Sequence, residues 1–467
     1  MKITFLGAAQ EVTGSKHLLT TPTGKKLLLD CGSFQGKGLA TDEKNRKPGI
    51  DPASVDHIIL THAHIDHSGM IPYFYKQGFR GSVICTHATR DLCAIMLADS
   101  GFIQEHDTRW FNKKRLRQGL PPVEPIYTKQ DAQKCMELFI GVSYNRKFRI
   151  DQEITVSFTN TGHLLGSAVA NIRITEKDKS TTIAYTGDIG RETNRILIPP
   201  DPFPACDYLI CESTYGDRLH EDNIASEGRL LQIIHQTCVV QKGKLIIPSF
   251  AIGRTQELVY VLNNFYNEGK LPRVKIYVDS PLAVNATEIF RMHPECFNAD
   301  VLEVISDDPD PFGFSSLTYI TKVEQSKKLN ESKEPCVIIS ASGMMEAGRI
   351  KHHLANNISN PNNTILAVGY CAPETLGARL LAGVRNISIF GFPHEVKARI
   401  DKIDSFSGHA DYSEMLRFLQ CQQPKSIRKT FLVHGDPEAQ KFFQKQLKKN
   451  GFRKVEVPAP GETFELT

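Results

Sequence analysis

THAHIDH, residues 61–67, crowds three histidines and an aspartate into six positions of a chain of 467 residues. Imidazoles at neutral pH are weak solubilisers, and their ring nitrogens need partners when buried, so the crowding asks for a chemical use. The ordered pattern H-x-H-x-D-H arises by chance in roughly one chain per thousand of this length. A solvated histidine-rich turn is the plainer alternative, and the spacing argues against it. The preceding residues, DHIIL, predict a strand. His62 and His64, two apart as the chain leaves it, can therefore point the same way, while Asp66 and His67 face another. A tetrahedral site surrounds its ion at about 2.0–2.2 Å. Four side chains from one tight loop are badly placed to enclose a single ion. They are better placed to line two, His62 and His64 on one, Asp66 and His67 on the other.

The remaining ligands must come from elsewhere. SFTNTGH ends at His163, TIAYTGD at Asp188, and TFLVH at His434. Each polar residue follows a short β run, and ligands collect at the carboxyl ends of sheet strands. Asp188 suits a bridging role, because each carboxylate oxygen can take one ion. Singly, each would read as an ordinary loop residue; their shared placement makes them a set.

Around these motifs the chain reads as two domains. KITFL, KHLLT and KLLLD predict an antiparallel start. After residue 55, DHIIL with GMIPYFYKQG and SVICT with RDLCAIMLADSG predict strands alternating with helices on a mixed sheet. From about residue 207, DYLICE, KLIIPS, VKIYVDS, PCVIIS and TILAVGY predict an open, doubly wound sheet. TFLVHGDP and KVEVP then return to short closing strands. No repeat or flexible linker intervenes, so the second domain is expected as an insertion: 1–206 and 396–467 form one domain, 207–395 the other.

Composition narrows the function classes. The order of these elements predicts an α/β protein, and with 40% hydrophobic and 23% charged residues the composition is that of an ordinary soluble globular chain. Its net charge of +4 announces no polyanionic partner, so any nucleic-acid binding must come from local patches. Eleven cysteines, an odd number with no C-x-x-C pair, favour free thiols in a reducing cytoplasm. The opening MKITFLGAAQEV is too short an apolar run for a secretory signal or a membrane span. A cytoplasmic protein with no membrane partner is expected.

LLLDCG, THAHIDHSG, TGHLLGSA and TGDIGR resemble, in order, the signature motifs of the metallo-β-lactamase fold. The resemblance implies an αββα sandwich with a dinuclear zinc site at one edge. It places His62, His64 and His163 on one zinc, Asp66 and His67 on the other, and Asp188 between them. Asp30 would orient the loop histidines from behind. Flavodiiron relatives carry Glu at the position of His64, which favours zinc over iron here, although Mn2+ accepts similar ligands.

Roughly 190 further residues separate TGDIGR from the final strands, more than that fold needs. The extra block resembles the β-CASP domain of nucleic-acid nucleases: CESTYG gives Glu212, FSGHADY gives His409, and LVHGDP gives His434. DNA-processing members carry valine at the last position and RNA-processing members histidine, so the resemblance implies single-stranded RNA as partner. The closest likeness is to bacterial and archaeal RNA-processing enzymes, similar in turn to the endonuclease subunit of the pre-mRNA 3′-end cleavage machinery. Archaeal forms carry N-terminal KH domains; with KITFL beginning at residue 2, no such module is expected here.

Three loops of the inserted block, PSFAIGRTQEL, SASGMMEAGRI and APETLGARLL, run from a strand into a helix near an arginine. Backbone N–H groups at helix starts suit anionic phosphates, which makes Arg254, Ser342, Gly343, Arg349 and Arg379 candidates for binding RNA phosphate. Plain glycine-rich connections are the alternative. TRWFNKKRLRQG, 108–119, sets five basic residues around the only tryptophan. It reads as a solvated face or as a rim that tracks RNA.

The expected chemistry is hydrolysis of RNA phosphodiester bonds by a metal-bound hydroxide. His409, held by Glu212, is the candidate general acid for the leaving 3′ oxygen, and Asp66 lies with them at the catalytic centre. The resemblance implies 5′-phosphate and 3′-hydroxyl products, with endonucleolytic cutting favoured and 5′-exonucleolytic cutting admitted. His434 would complete the second zinc's ligands. The rivals are a small-substrate hydrolase such as a thioesterase or lactamase, a non-catalytic RNA-binding scaffold, and a DNA-repair nuclease. A homodimer is compatible with the sequence.

Overall fold

The strand Lys2–Gly7 alternates deeply buried with less buried positions, as a half-covered strand must. With Lys16–Thr20 and Lys26–Leu29 it forms an antiparallel meander. Pairing then turns parallel through His57–Ile59, Ser82–Thr86 and Phe139–Val142, because helices now intervene between strands. Thr463–Glu465 closes the other edge, giving seven strands. This computed structural model describes residues 1–467 except 37–38, 178, 221–222, 370 and 372–374.

A second seven-stranded sheet runs in the order Val455–Glu456, Lys429–Val433, Tyr208–Glu212, Lys179–Tyr185, Ala168–Glu176, Ile154–Asn160, Phe148–Arg149. The two sheets share one core: Phe5, Leu29 and Ile59 from the first meet Phe158, Ile210 and Phe431 from the second. Alternate residues turn outward. Leu209 and Cys211 pack with Met415 and Phe443, from the helices Tyr412–Phe418 and Pro437–Lys449. The long helix His87–Arg117 lies on Ser82–Thr86 and Phe139–Val142. Two facing sheets with helices outside are the αββα sandwich that the motifs implied.

That long helix absorbs two segments that read as separate in the sequence, RDLCAIMLADSG and TRWFNKKRLRQG. No proline divides them. The one glycine, Gly101, stays because a Cβ there would meet the backbone N of Lys129 at 2.7 Å.

Contacts divide the chain into a first unit, Met1–Asn194, Ile198–Leu219 and His409–Thr467, and a second, Arg195–Leu197 and His220–Gly408. The expected boundaries at 207 and 395 differ from these. DYLICE is the reason at the first: Tyr208–Glu212 pairs with Lys179–Tyr185 and Lys429–Val433, so it is a central strand of the first unit, not the opening strand of the insertion.

In the second unit six parallel strands follow the order Leu317–Ile320, Lys275–Asp279, Cys336–Ser340, Lys244–Pro248, Thr364–Val368, Arg399–Ile403. The three central strands are buried at every position. Helix cover on both faces explains why their sequences read as unbroken apolar runs. Ile246 and Ile365 meet Ile350 and Leu354 in this core.

All eleven cysteines are free thiols, nine of them buried. Among the described residues no helix is long and apolar enough to cross a membrane.

Candidate metal centre

Every residue expected at the metal site lies in the first unit. His62 and His64 leave the strand His57–Ile59, and the one-turn helix Ile65–Ser68 carries Asp66 and His67. Three backbone donors fix that turn: Ser15 N to Asp66 O at 2.8 Å, Cys31 N to His67 O at 2.7 Å, and Ser33 N to Ile65 O at 3.0 Å. Such close passage requires Gly32, whose Cβ would come within 1.6 Å of Asp66 O.

The donor atoms fall into two sets. In one, His64 Nδ1 lies 3.1 Å from His62 Nε2 and 3.2 Å from His163 Nε2. Asp188 Oδ2 is 3.5 Å from both His62 Nε2 and His163 Nε2. In the other, His67 Nε2 is 3.2 Å from His434 Nε2, and His434 Nε2 is 3.5 Å from Asp66 Oδ2. Asp188 Oδ1 reaches this set at 3.3 Å from His67 Nε2. A tetrahedral ion about 2.1 Å from each ligand spaces them about 3.4 Å apart. The observed separations match that figure. Asp188 Oδ1 is buried without a hydrogen-bond partner among the described residues. A buried carboxylate oxygen facing ring nitrogens is costly unless a cation joins them. The donor set therefore fits metal binding, with Asp188 reaching toward both groups.

Protonation follows the same logic. Burial pushes His62 well below the ordinary imidazole value, helped by His67, and takes His64 down to about 4. Both rings are neutral and keep a lone pair to give. For Asp66 burial acts upward, but the bond from His434 and the charge of His67 win and hold it at about 2. Burial likewise opposes the ionisation of Asp188, and His434, His67 and His62 outweigh it.

Behind the ligands, Asp30 Oδ2 accepts from His67 Nδ1 at 2.6 Å and from the Tyr185 hydroxyl at 2.8 Å. Thr61 donates to Asp30 through its backbone N at 2.7 Å and its hydroxyl at 2.8 Å. With Nδ1 so fixed, Nε2 of His67 is the nitrogen turned to the site. Thr214 Oγ1 sits 2.9 Å from His434 Nδ1 and plays the matching part. Thr61, Tyr185 and Thr214 are not among the expected site residues, although they sit inside the motifs THAHIDH, TIAYTGD and CESTYG.

His409 stands on the open side, with 22% of its side chain exposed. Its Nδ1 is 3.4 Å from Glu212 Oε1 and 3.9 Å from Asp188 Oδ2. Burial works against its charge, but Glu212 and Asp188 prevail and raise it to about 9. The ring is thus a cation at neutral pH. Glu212 is held in turn by the backbone N of Thr214 at 3.2 Å and that of Ile189.

The phosphate candidates all lie in the second unit and are used unequally. Arg349 Nη1 binds Asp279 Oδ1 at 2.6 Å, and its other bonds go to the carbonyls of Ile320 and Thr321. Its charge is matched within the second unit. Arg254 is buried and paired with Glu257, yet its Nε has no partner among the described residues. The Ser342 hydroxyl engages Ala347, and Gly343 lets Phe250 lie against the backbone. Arg379 is exposed on the helix Leu376–Leu381, one turn past its start. The beginning of APETLGARLL, residues 372–374, is outside the described residues.

Residues 17–224 match the metallo-β-lactamase superfamily, 255–380 the Beta-Casp domain, and 393–458 the Zn-dependent metallo-hydrolase RNA specificity domain. The chain is 35% identical to Ribonuclease TTHA0252 of Thermus thermophilus over 440 residues, covering 94% of each chain. It is 34% identical to an RNase J-like protein of Methanocaldococcus jannaschii over 435 residues, 92% of each. With the transcription termination factor FttA of Methanosarcina mazei it shares 31% identity over 448 residues, 94% of this chain and 67% of that one.

Proposed function

The chain belongs to the β-CASP nucleases of the metallo-β-lactamase superfamily, and from that premise we propose that it is a dinuclear-zinc ribonuclease. It hydrolyses phosphodiester bonds of single-stranded RNA and leaves 5′-phosphate and 3′-hydroxyl ends. The observation that carries the reading is the pair of donor sets at tetrahedral spacing that meet on Asp188, whose Oδ1 is otherwise unpartnered. His62, His64, His163 and Asp188 would hold one ion; Asp66, His67 and His434, with Asp188 beside them, would hold the other. When bound, the ions supply water activation and charge neutralisation at phosphorus.

The chain's own residues do the rest. Asp30 and Thr214 fix the ring orientations of His67 and His434 through the bonds described. His409, cationic beside Glu212, donates a proton to the departing 3′ oxygen. Glu212 keeps the ring charged and aimed. Histidine at 434, the relatives named as ribonucleases and the RNA specificity match all support RNA as substrate.

The test pairs metal analysis with cleavage of end-labelled RNA. His409→Ala is expected to keep two zinc ions and lose at least ~10²-fold in rate, the usual worth of a general acid. His434→Ala is expected to lose the second ion. Two ions per chain in both variants would remove His434 from the ligand set. Hydrolysis of a small thioester with no RNA cut would overturn the ribonuclease reading.

A further inference from the structure

The helix His87–Arg117 is two structures end to end. Its buried residues, from Ala88 to Gly101, all lie in the first half. Ser82–Thr86, beneath it, spans about 17 Å, whereas the stretch 87–101 already covers about 22 Å. The remaining residues overhang the sheet. Along them Phe102, Trp110, Phe111 and Leu116 are exposed, Trp110 by 70%. Asn112 ties this half to the returning chain, with Val123 bonded both ways at 2.8 and 2.9 Å. The overhang is therefore a braced projection.

Its charge is lopsided. Trp110 shares a face with Lys113, Lys114 and Arg117, three, four and seven positions on. None of these three cations makes an ion pair among the described residues, and all are exposed. Toward the other end of that face Asp107 lies beside His106, 3.5 Å away. An exposed indole followed by three unmatched cations within two turns complements a strand that alternates flat bases with phosphates.

Resting on the ribonuclease reading, we propose that Phe102–Arg117 is a docking arm for single-stranded RNA. Trp110 stacks on a base, while Lys113, Lys114 and Arg117 contact phosphates. The helix starts beside the metal centre: the hydroxyls of Thr86 and Thr89 donate to Gly166 O at 2.6 and 2.9 Å, three residues past His163. Trp110 lies about 36 Å further along the axis. A strand stacked at about 3.4 Å per nucleotide needs about ten nucleotides to cover that length. The arm is thus a length sensor, engaging long RNA and invisible to short RNA.

The experiment compares RNAs of about four and about 24 nucleotides. Binding is read by fluorescence anisotropy in the metal-loaded His409→Ala protein, and cleavage in the active enzyme. Trp110→Ala is expected to weaken binding of the long RNA about tenfold. The triple variant Lys113→Gln, Lys114→Gln, Arg117→Gln should do likewise and lower the salt slope by about 2. In the active enzyme KM for the long RNA rises with kcat unchanged, and the short RNA is cut as before. Unchanged long-RNA binding in both variants overturns the proposal, and so does equal loss for both lengths. A parent dimer that Trp110→Ala dissociates, with RNA binding intact, assigns the face to a second copy instead. If the parent binds long RNA through the arm but cuts none, the arm stands and the ribonuclease reading falls.

Discussion

The first and second units each bury an aspartate against a histidine at the end of a parallel strand. Asp30 meets His67 at 2.6 Å and Asp279 meets His353 at 2.6 Å, with all four residues fully buried. Each carboxylate is closed off by further donors: Thr61 and Tyr185 in the first case, Ser326 and Arg349 in the second. The pairs part company at the second ring nitrogen. His353 Nδ1 ends on Asn330 Oδ1 at 3.0 Å, which also takes the Asn357 amide at 3.0 Å. His67 Nε2 instead faces His434 Nε2 and Asp188 Oδ1, two further lone-pair bearers. One network ends on neutral amides; the other gathers ring nitrogens and carboxylates at spacings a cation can join. A buried Asp–His pair is therefore no sign of a metal centre, whereas converging lone pairs are.

The contrast breaks most easily at Asp188. Asp188→Asn removes the charge common to both donor sets, and activity should fall by at least ~10³-fold with loss of bound zinc. Asp279→Asn should leave zinc per folded chain as it is. Mass spectrometry of the native proteins checks both, and equal zinc in the two variants would erase the distinction. Next in size is the stability of the closed network. Asp279→Ala leaves buried His353 and half-buried Arg349 without their carboxylate partner, which costs about 3 kcal/mol. The urea midpoint should drop accordingly while metal content holds.

These networks also mark where the sequence could be read and where it could not. Four ligands are local to THAHIDH, and their spacing alone separates them into two pairs. His163, Asp188 and His434 were legible because each ends a β run, which puts it on the same sheet edge. Asp279 and His353 are 74 positions apart with no motif around either, and only folding joins them. Arg349 followed the strand–glycine–arginine pattern of a phosphate loop, yet its partner Asp279 lies 70 positions upstream. DYLICE reads as a strand of the inserted sheet, whereas Tyr208–Glu212 lies in a sheet of the first unit, because a strand buried on both faces carries no label for its neighbours. Its registers with Ile183 and Lys429 are tertiary facts.

A second parallel between the units gives the smallest and most specific effect. Each buries a lysine with no carboxylate partner: Lys16 Nζ on Gly32 O at 2.6 Å and Gly14 O at 3.1 Å, 4.3 Å from the centre of the Phe34 ring, and Lys244 Nζ on Leu329 O at 2.6 Å. Burial lowers both from their usual value, Lys16 to about 8. Carbonyl dipoles do not replace the lost hydration of a full charge. Between about pH 8 and 10.5 the unfolded chain holds a proton that folded Lys16 has released. Stability must then rise with pH across that window, by roughly 3 kcal/mol from this residue. Below pH 8 the cost of the buried ammonium is present in full. Lys16→Met should abolish that rise. Thiols such as Cys85, which burial pushes upward, pull stability the other way at high pH, but they are common to both proteins. The difference in urea midpoint between wild type and Lys16→Met, taken at pH 7 and pH 10, isolates the lysine. A difference that stays constant with pH would mean that Lys16 keeps its proton throughout, and that Gly14 and Gly32 solvate the ammonium as well as water does.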